Sequence, residues 1–186
     1  MSLIDLEKPL SHRTPSAEPR KNTPRPSWLG LVEAMHIAPR AFLPLRSVNS
    51  VSIIEGLGIE GDRYARRTGF LSERIEKRGD TPNRLVTLFE VETLEALERD
   101  HGVRIGMADH RRNITTRGVP LNHLIGRKFK IGQAILFGTI ATPCKHLDEL
   151  LGMKLIGLLT NRAGLNAGVI KSGEVRVGDA IELIEG

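Results

Sequence analysis

The sequence predicts a mainly β chain with helical decorations, an α+β domain of barrel-like build. Two observations carry this. Short apolar runs recur at regular intervals with glycine turns between them, as at Gly132-Gln133, Ser172-Gly173 and Gly178-Asp179, and such spacing makes barrels or sandwiches. Helical periodicity is confined to a few short stretches. A chain of 186 residues holds one ordinary domain plus a tail.

In order, residues 1–27 hold Pro9, Pro15, Pro19, Pro24 and Pro26 among Ser, Thr and charged residues. Such a segment buries too little apolar area to offset its ordering entropy, so a flexible tail is expected, with the folded domain over 28–186. Gly30 to Ala38 reads as a strand ended by Pro39, and Ser47 to Ile54 as a second. Gly56-Leu57-Gly58-Ile59-Glu60-Gly61 fits a dinucleotide fingerprint letter by letter. That motif needs a helix directly after the glycines. Here Asp-Arg-Tyr-Ala-Arg-Arg follows, without an apolar stripe, so the glycines are expected to give a tight loop its positive φ and to aim Asp62 and Arg63. Residues 68–83 read as loop with at most a short helix. Arg84 to Phe89 is a strand. Glu90 to Asp100 is a helix, with Val91, Leu94 and Leu97 on one face and Gly102 as its stop. Asn113 to Thr116 is extended, and residues 121–126 make one helical turn. Lys128 to Ile131 and Ala134 to Ile140 form a hairpin. Residues 144–151 and 154–162 carry leucines at helical spacing and predict two helices split by Gly152. Three short strands follow at 167–171, 174–177 and 180–184, with Asp179 capping a turn.

Composition excludes several classes. Aromatics are 4% of the chain, which poorly supplies a stacking platform for single-stranded nucleic acid. A net charge of +5 favours anionic ligands generally but is too diffuse to argue for nucleic acid. One cysteine allows no internal disulfide and fits a reducing compartment, so a cytoplasmic location is expected. No apolar run approaches a membrane span, and the N-terminus has no apolar signal core. The six histidines show no metal-ligand spacing. Neither a nucleophile elbow nor a phosphate loop is present.

The stretch from Arg111 to Cys144 stands apart. It joins Arg111, Arg112 and Arg117 to Asn113, Thr115 and Thr116, and ends on Pro143-Cys144-Lys145-His146. Guanidiniums recognise phosphate by forked hydrogen bonds, and a thiolate is a nucleophile and a soft metal ligand. Lys145, His146 and a helix opening at Cys144 would lower the thiol from its usual value near about 8.5. A lone cysteine can equally be a small buried hydrophobe. Arg111 and Arg117 read as solvated surface residues. His146 is the histidine placed to act on the thiol.

Six pieces in order carry a family resemblance: Gly-Ile-Glu-Gly-Asp-Arg (58–63), Arg-Arg-Asn-Ile-Thr-Thr-Arg-Gly-Val (111–119), Leu-Ile-Gly-Arg-Lys-Phe-Lys-Ile-Gly (124–132), Pro-Cys (143–144), Arg-Ala-Gly-Leu-Asn-Ala-Gly-Val (162–169) and Val-Gly-Asp-Ala-Ile (177–181). Together they resemble the MOSC domain, the C-terminal domain family of molybdenum cofactor sulfurases, over most of residues 30–186. The resemblance implies a barrel-like fold and handling of the molybdenum cofactor (molybdopterin) or of sulfur. Cys144 would be the pattern cysteine, as metal ligand or persulfide carrier. Arg112 and Asn113 would hold the pterin and its phosphate, with Thr115 from the same piece and Arg63 and Asp62 beside them. Asp62 would either orient Arg63 or meet the cofactor. Cys144 and His146 are the catalytic candidates, with His146, placed beside the thiol in the chain, either its general base or a helix decoration. Some relatives are fused to pyridoxal-phosphate-dependent sulfurase modules, but no site for that cofactor is identified here. Others stand alone and reduce N-hydroxylated compounds. The expected activity is that oxidoreductase chemistry, on a small-molecule substrate with an electron-donor or sulfur-donor protein, and without nucleic acid or membrane. The alternative is a persulfide carrier or cofactor-binding module without turnover.

Overall fold

The structure, a computed structural model, describes residues 28–184 except Leu71 and Cys144, and except the side chains of Ile75 and Thr81. The tail expected over residues 1–27 lies outside the described residues. The chain runs β1 (Gly30–Ile37), β2 (Arg46–Val48), β3 (Ser50–Ile54), β4 (Gly58–Ile59), α1 (Ser72–Lys77), a 3-10 turn (Thr81–Asn83), β5 (Val86–Glu90), α2 (Val91–His101), β6 (Ile114–Arg117) and a second 3-10 turn (Leu121–Leu124). It ends with β7 (Lys128–Ile131), β8 (Ala134–Ile140), α3 (Lys145–Leu151), β9 (Leu165–Lys171), β10 (Gly173–Arg176) and β11 (Ala180–Leu183).

Among the described residues, seven strands close into a barrel in the order β11-β7-β8-β9-β5-β6-β1, and β1 pairs back onto β11 through Gly30–Ile181 and Leu31–Ala180. β5 and β6 are parallel, and the other neighbours in the ring are antiparallel. β2 extends the sheet beside β1, and β10, β3 and β4 form a second small sheet. Strand alternation sets the interior. Phe129 and Ile131 point in while Lys128 and Lys130 point out, and Val51 and Ile53 alternate with Ser50 and Ser52. β9 is buried from Leu165 to Val169 because the 81–83 turn covers it. The approach is so close that a Cβ on Gly168 would lie 2.5 Å from the Pro82 carbonyl oxygen.

The sequence's second strand is two strands here. Val48 pairs with Met35 in the barrel, whereas Val51 pairs with Val175 in the small sheet. Asn49 sits between them, its carbonyl accepting the Val177 N–H at 3.0 Å. The break is where the chain changes sheets. α2 forms as expected, burying Val91, Leu94 and Leu97, and Gly102 ends it at φ 64°, donating to the Glu98 carbonyl at 3.0 Å. The helix expected over 154–162 does not form. Asp148 Oδ1 accepts the Leu155 and Ile156 N–H groups at 2.9 and 3.1 Å, and one turn closes from Leu159 N–H to the Leu155 carbonyl. Gly157 disfavours propagation, and the leucines serve instead as buried anchors, Leu155 at 0% and Leu159 at 3% exposure. Among the described residues no helix is long and apolar enough to cross a membrane.

Candidate functional site

At one end of the barrel, five chain-distant segments join Phe89 of β5 around a cavity of about 120 Å³. The β1–β2 loop brings Phe42, and the loop after β4 brings Arg63 and Tyr64. The loop before β6 brings His110, Arg111 and Arg112. The start of α3 brings Pro143 and His146, and the segment before β9 brings Leu159 and Ala163.

Gly61 at φ 78° turns the chain so that Asp62 points inward. Asp62 is fully buried and acts as a hub. Its Oδ1 accepts the Ala38 N–H at 3.1 Å and Arg63 Nη1 at 2.9 Å, and its Oδ2 accepts the Tyr64 N–H at 3.1 Å. Arg63, itself 4% exposed, also donates from Nη2 to the Arg111 carbonyl at 2.7 Å, and its guanidinium lies 4.6 Å from the Tyr64 ring centroid. Of the two roles expected for Asp62, orienting Arg63 is the one the geometry displays, because its oxygens are engaged within the protein.

Arg111 corrects an expectation. It is not a solvated surface residue but lines the cavity, half-buried, with a left-handed φ of 65° and Nη1 on the Leu43 carbonyl at 2.7 Å. Burial, then the neighbouring Arg63 charge, hold its guanidinium below the usual arginine range. Arg117 stays at the surface, bridging Glu33 and Glu95 at 3.0 Å each. Arg112 lines the cavity and reaches the Ala163 carbonyl at 3.1 Å and Asn166 Oδ1 at 3.4 Å.

Two expected cofactor contacts do not reach the cavity. Asn113 is fully buried. Its Oδ1 accepts the Thr87 N–H and hydroxyl at 3.2 and 2.8 Å, and its Nδ2 donates to the His36 carbonyl at 3.4 Å. The amide is spent tying β5, β6 and β1 together. Thr115 is likewise fully buried, its hydroxyl 2.9 Å from His110 Nε2. It acts on the cavity only through that histidine.

His110 was missed by sequence reasoning. Its Nδ1 accepts the Arg112 N–H at 3.0 Å, which places the ring proton on Nε2, toward Thr115. The ring stacks on Phe89 at 4.6 Å. Burial first, and the Arg112 charge second, push it down to about 3, so it is a neutral wall of the cavity. The aromatics were missed too. Phe42, Tyr64, Phe70 and Phe89 all line this cavity. His146 stacks on Phe70 at 4.2 Å and meets Phe42 edge-on at 5.2 Å. The low aromatic content hid the fact that much of it converges here. The available signal was local: Tyr64 follows Arg63, and His110 precedes Arg111.

Cys144 lies outside the described residues. Its chain neighbours Pro143 and His146 both line the cavity. Among the described residues no group of three or more His, Cys, Asp or Glu is placed to hold a metal ion.

A family model described as the MOSC domain matches residues 76–182, more than half the chain. The chain belongs to the MOSC domain family. The fold agrees. The YuaD protein from Bacillus subtilis superposes with a TM-score of 0.68 at 19% identity, covering 84% of this chain and 97% of that one. YiiM from Geobacillus stearothermophilus gives 0.64 at 14% identity, covering 84% and 75%, and YiiM from Escherichia coli gives 0.59 at 19%, covering 87% and 71%. No curated protein sequence matches. MOSC domains are associated with molybdenum-cofactor binding. Arg111 and Arg112 fall inside the matched region, while Phe42, Arg63, Tyr64 and Phe70 precede it.

Proposed function

We propose that this MOSC protein binds the molybdenum cofactor in the cleft and reduces N-hydroxylated compounds, with Cys144 as the metal ligand. One observation supports this most. Arg63, Arg111 and Arg112 line a single aromatic-walled cavity with no carboxylate in its lining among the described residues, and Pro143 and His146, which with Leu147 line it from α3 and its approach, flank Cys144 in the chain. A flat, phosphate-bearing pterin suits that donor set: guanidinium forks for its anionic oxygens, ring faces for its plane, and a thiolate for a soft metal. When bound, the cofactor supplies two-electron redox chemistry at its metal.

The chain's own residues do the rest. Asp62 fixes the aim of Arg63, and neutral His110 fixes the Arg112 backbone without adding charge. Lys145 and His146 beside Cys144 favour its ionised form. Phe42 and Phe70, packed edge-to-face on one another and each against His146, form the exposed aromatic wall of the mouth. Reductive cleavage of an N–O bond takes up two electrons and two protons and releases water. The electrons come from a separate redox protein, and His146, at the mouth, is the candidate proton donor. A cytoplasmic location goes with this reading, because a lone thiol acting as a metal ligand needs a reducing compartment.

Elemental analysis tests the reading. Protein purified from a host that makes the cofactor should carry molybdenum approaching one per chain, and Cys144→Ser should lose it. Metal-free wild-type protein from such a host would overturn it, and a mass increase of one sulfur on Cys144 would instead favour the persulfide carrier.

A further inference from the structure

The aromatic mouth is also the wall of a second chamber. This larger cavity, about 500 Å³, shares Tyr64, Phe70, Arg112, Pro143 and His146 with the first. Beyond that shared wall its character changes. It is lined by Arg74, Arg78, Arg84 and Lys145, with Asp80 and Glu149 as its acids. Asp80 is taken up by Arg84, their Oδ2 and Nε lying 2.7 Å apart, and by the Asn83 amide at 3.2 Å. Arg74, Arg78 and Lys145 have no carboxylate at ion-pair distance among the described residues. Arg74 and Arg78 stand four residues apart, Arg74 within α1 and Arg78 directly after it, so both face one side. One lone acid, Glu149, faces three uncompensated cations.

We infer that this cationic chamber is a phosphate subsite for the substrate, so that the preferred substrate is a phosphorylated heterocycle, a nucleotide, rather than the free base or nucleoside. This rests on the reading of the first cavity as the cofactor's. The order of the parts follows. The heterocycle lies against the Tyr64–Phe70–His146 wall with its N-hydroxyl toward the first cavity, and the phosphate extends to Arg74, Arg78 and Lys145. Guanidiniums suit a phosphate dianion because they hold two oxygens at once. Their exposure makes the contact sensitive to salt.

Calorimetric titration of the cofactor-loaded protein with adenosine and with adenosine 5′-monophosphate tests this, since neither carries an N-hydroxyl group to turn over. The monophosphate should bind about tenfold tighter at low salt, and the advantage should shrink as salt rises. In Arg74→Gln/Arg78→Gln, whose side chains are exposed and carry no core packing, the ratio should fall to within about twofold while molybdenum content stays unchanged. With N6-hydroxyadenosine and its monophosphate, the wild-type preference in kcat/KM should collapse in the same way. Equal binding of the two ligands, no binding of the monophosphate, or a preference that survives the double substitution would each overturn the inference. So would loss of molybdenum in the double variant, which would assign the chamber to the cofactor's own phosphate. Absence of molybdenum from the wild-type protein would sink the cofactor reading instead, and the same titration run on that metal-free protein would still decide the subsite.

Discussion

The barrel interior and the buried shell around the cleft at its end are held by different forces. The interior is apolar side chains on alternating strand positions: Val32, Phe129, Ile131, Leu136 and Ile181 are each 0–1% exposed. Around the cleft the buried residues are polar instead. His36, Asp62, Arg63, Thr87, His110, Asn113, Thr115 and Asn166 are each at most 4% exposed and, with the exception of the His36 ring, are joined through side-chain hydrogen bonds. Apolar burial is non-directional and stabilises without fixing angles. Hydrogen-bonded burial stabilises less per group but fixes each donor. The barrel therefore supplies stability, and the cleft trades stability for aim.

The largest break should come from the barrel. Phe129→Ala should cost about 4 kcal/mol, the loss of a fully buried ring plus the cavity left behind. Thermal unfolding should show a midpoint lower by roughly 10 °C, with no pH dependence of the deficit. Next comes Asp62→Asn, which leaves Arg63 buried without its counter-charge and weakens three anchors. A loss of about 3 kcal/mol in urea unfolding is expected. A loss below about 1 kcal/mol would mean that Arg63 needs no counter-ion and that the cleft is not built on this pair.

The third prediction separates the two regions by pH. His110 titrates near about 3 in the fold, against about 6.5 in an unfolded chain. Between those values the unfolded chain binds a proton that the native ring does not. Stability is therefore full above about pH 6.5 and falls as pH drops toward 3. Between pH 7 and pH 5 the loss is about 2 kcal/mol for one such ring. His36, lowered mainly by its burial, adds in the same direction, against a smaller opposing effect from Asp109. Urea midpoints should show a slope in wild type that His110→Gln flattens in part. An unchanged slope would show that the ring is not the acid-sensitive element.

The same division explains what could be read from the chain. The barrel was legible because strand periodicity and glycine turns are local signals: the 128–140 hairpin, α2 and its Gly102 stop needed no tertiary information. The cleft was legible only in part. Arg63 and Arg112 stand in recognisable pieces, His146 stands two residues after the Pro143-Cys144 piece, and the structure brings all three to one cavity. Asn113 and Thr115 stand in the same piece as Arg112, but strand alternation turns their side chains into the buried network, and a motif does not tell which residues face the ligand. Phe42 and Phe70 come from loops whose meeting depends on the closed barrel. The lost helix at 154–162 has the same origin, since Leu155 and Leu159 are recruited by the cluster beneath the cleft, which includes Phe89 and Leu97.

The smallest effect tests the joint between the regions. Gly58 and Gly61 bracket the turn that delivers Asp62, both with positive φ, 100° and 78°. At Gly61 a Cβ would meet nothing within 4 Å, whereas at Gly58 it would lie 2.5 Å from the Leu85 carbonyl oxygen. Gly61→Ala should therefore cost only the left-handed backbone strain, about 1 kcal/mol. Gly58→Ala should cost visibly more, because the clash is with barrel backbone that cannot move aside. If aim rather than stability is what the cleft needs, Gly61→Ala should weaken ligand binding by more than its small stability loss implies, since any relaxation of the turn rotates Asp62 and with it Arg63. Equal effects on stability and binding would place the turn with the barrel scaffold instead.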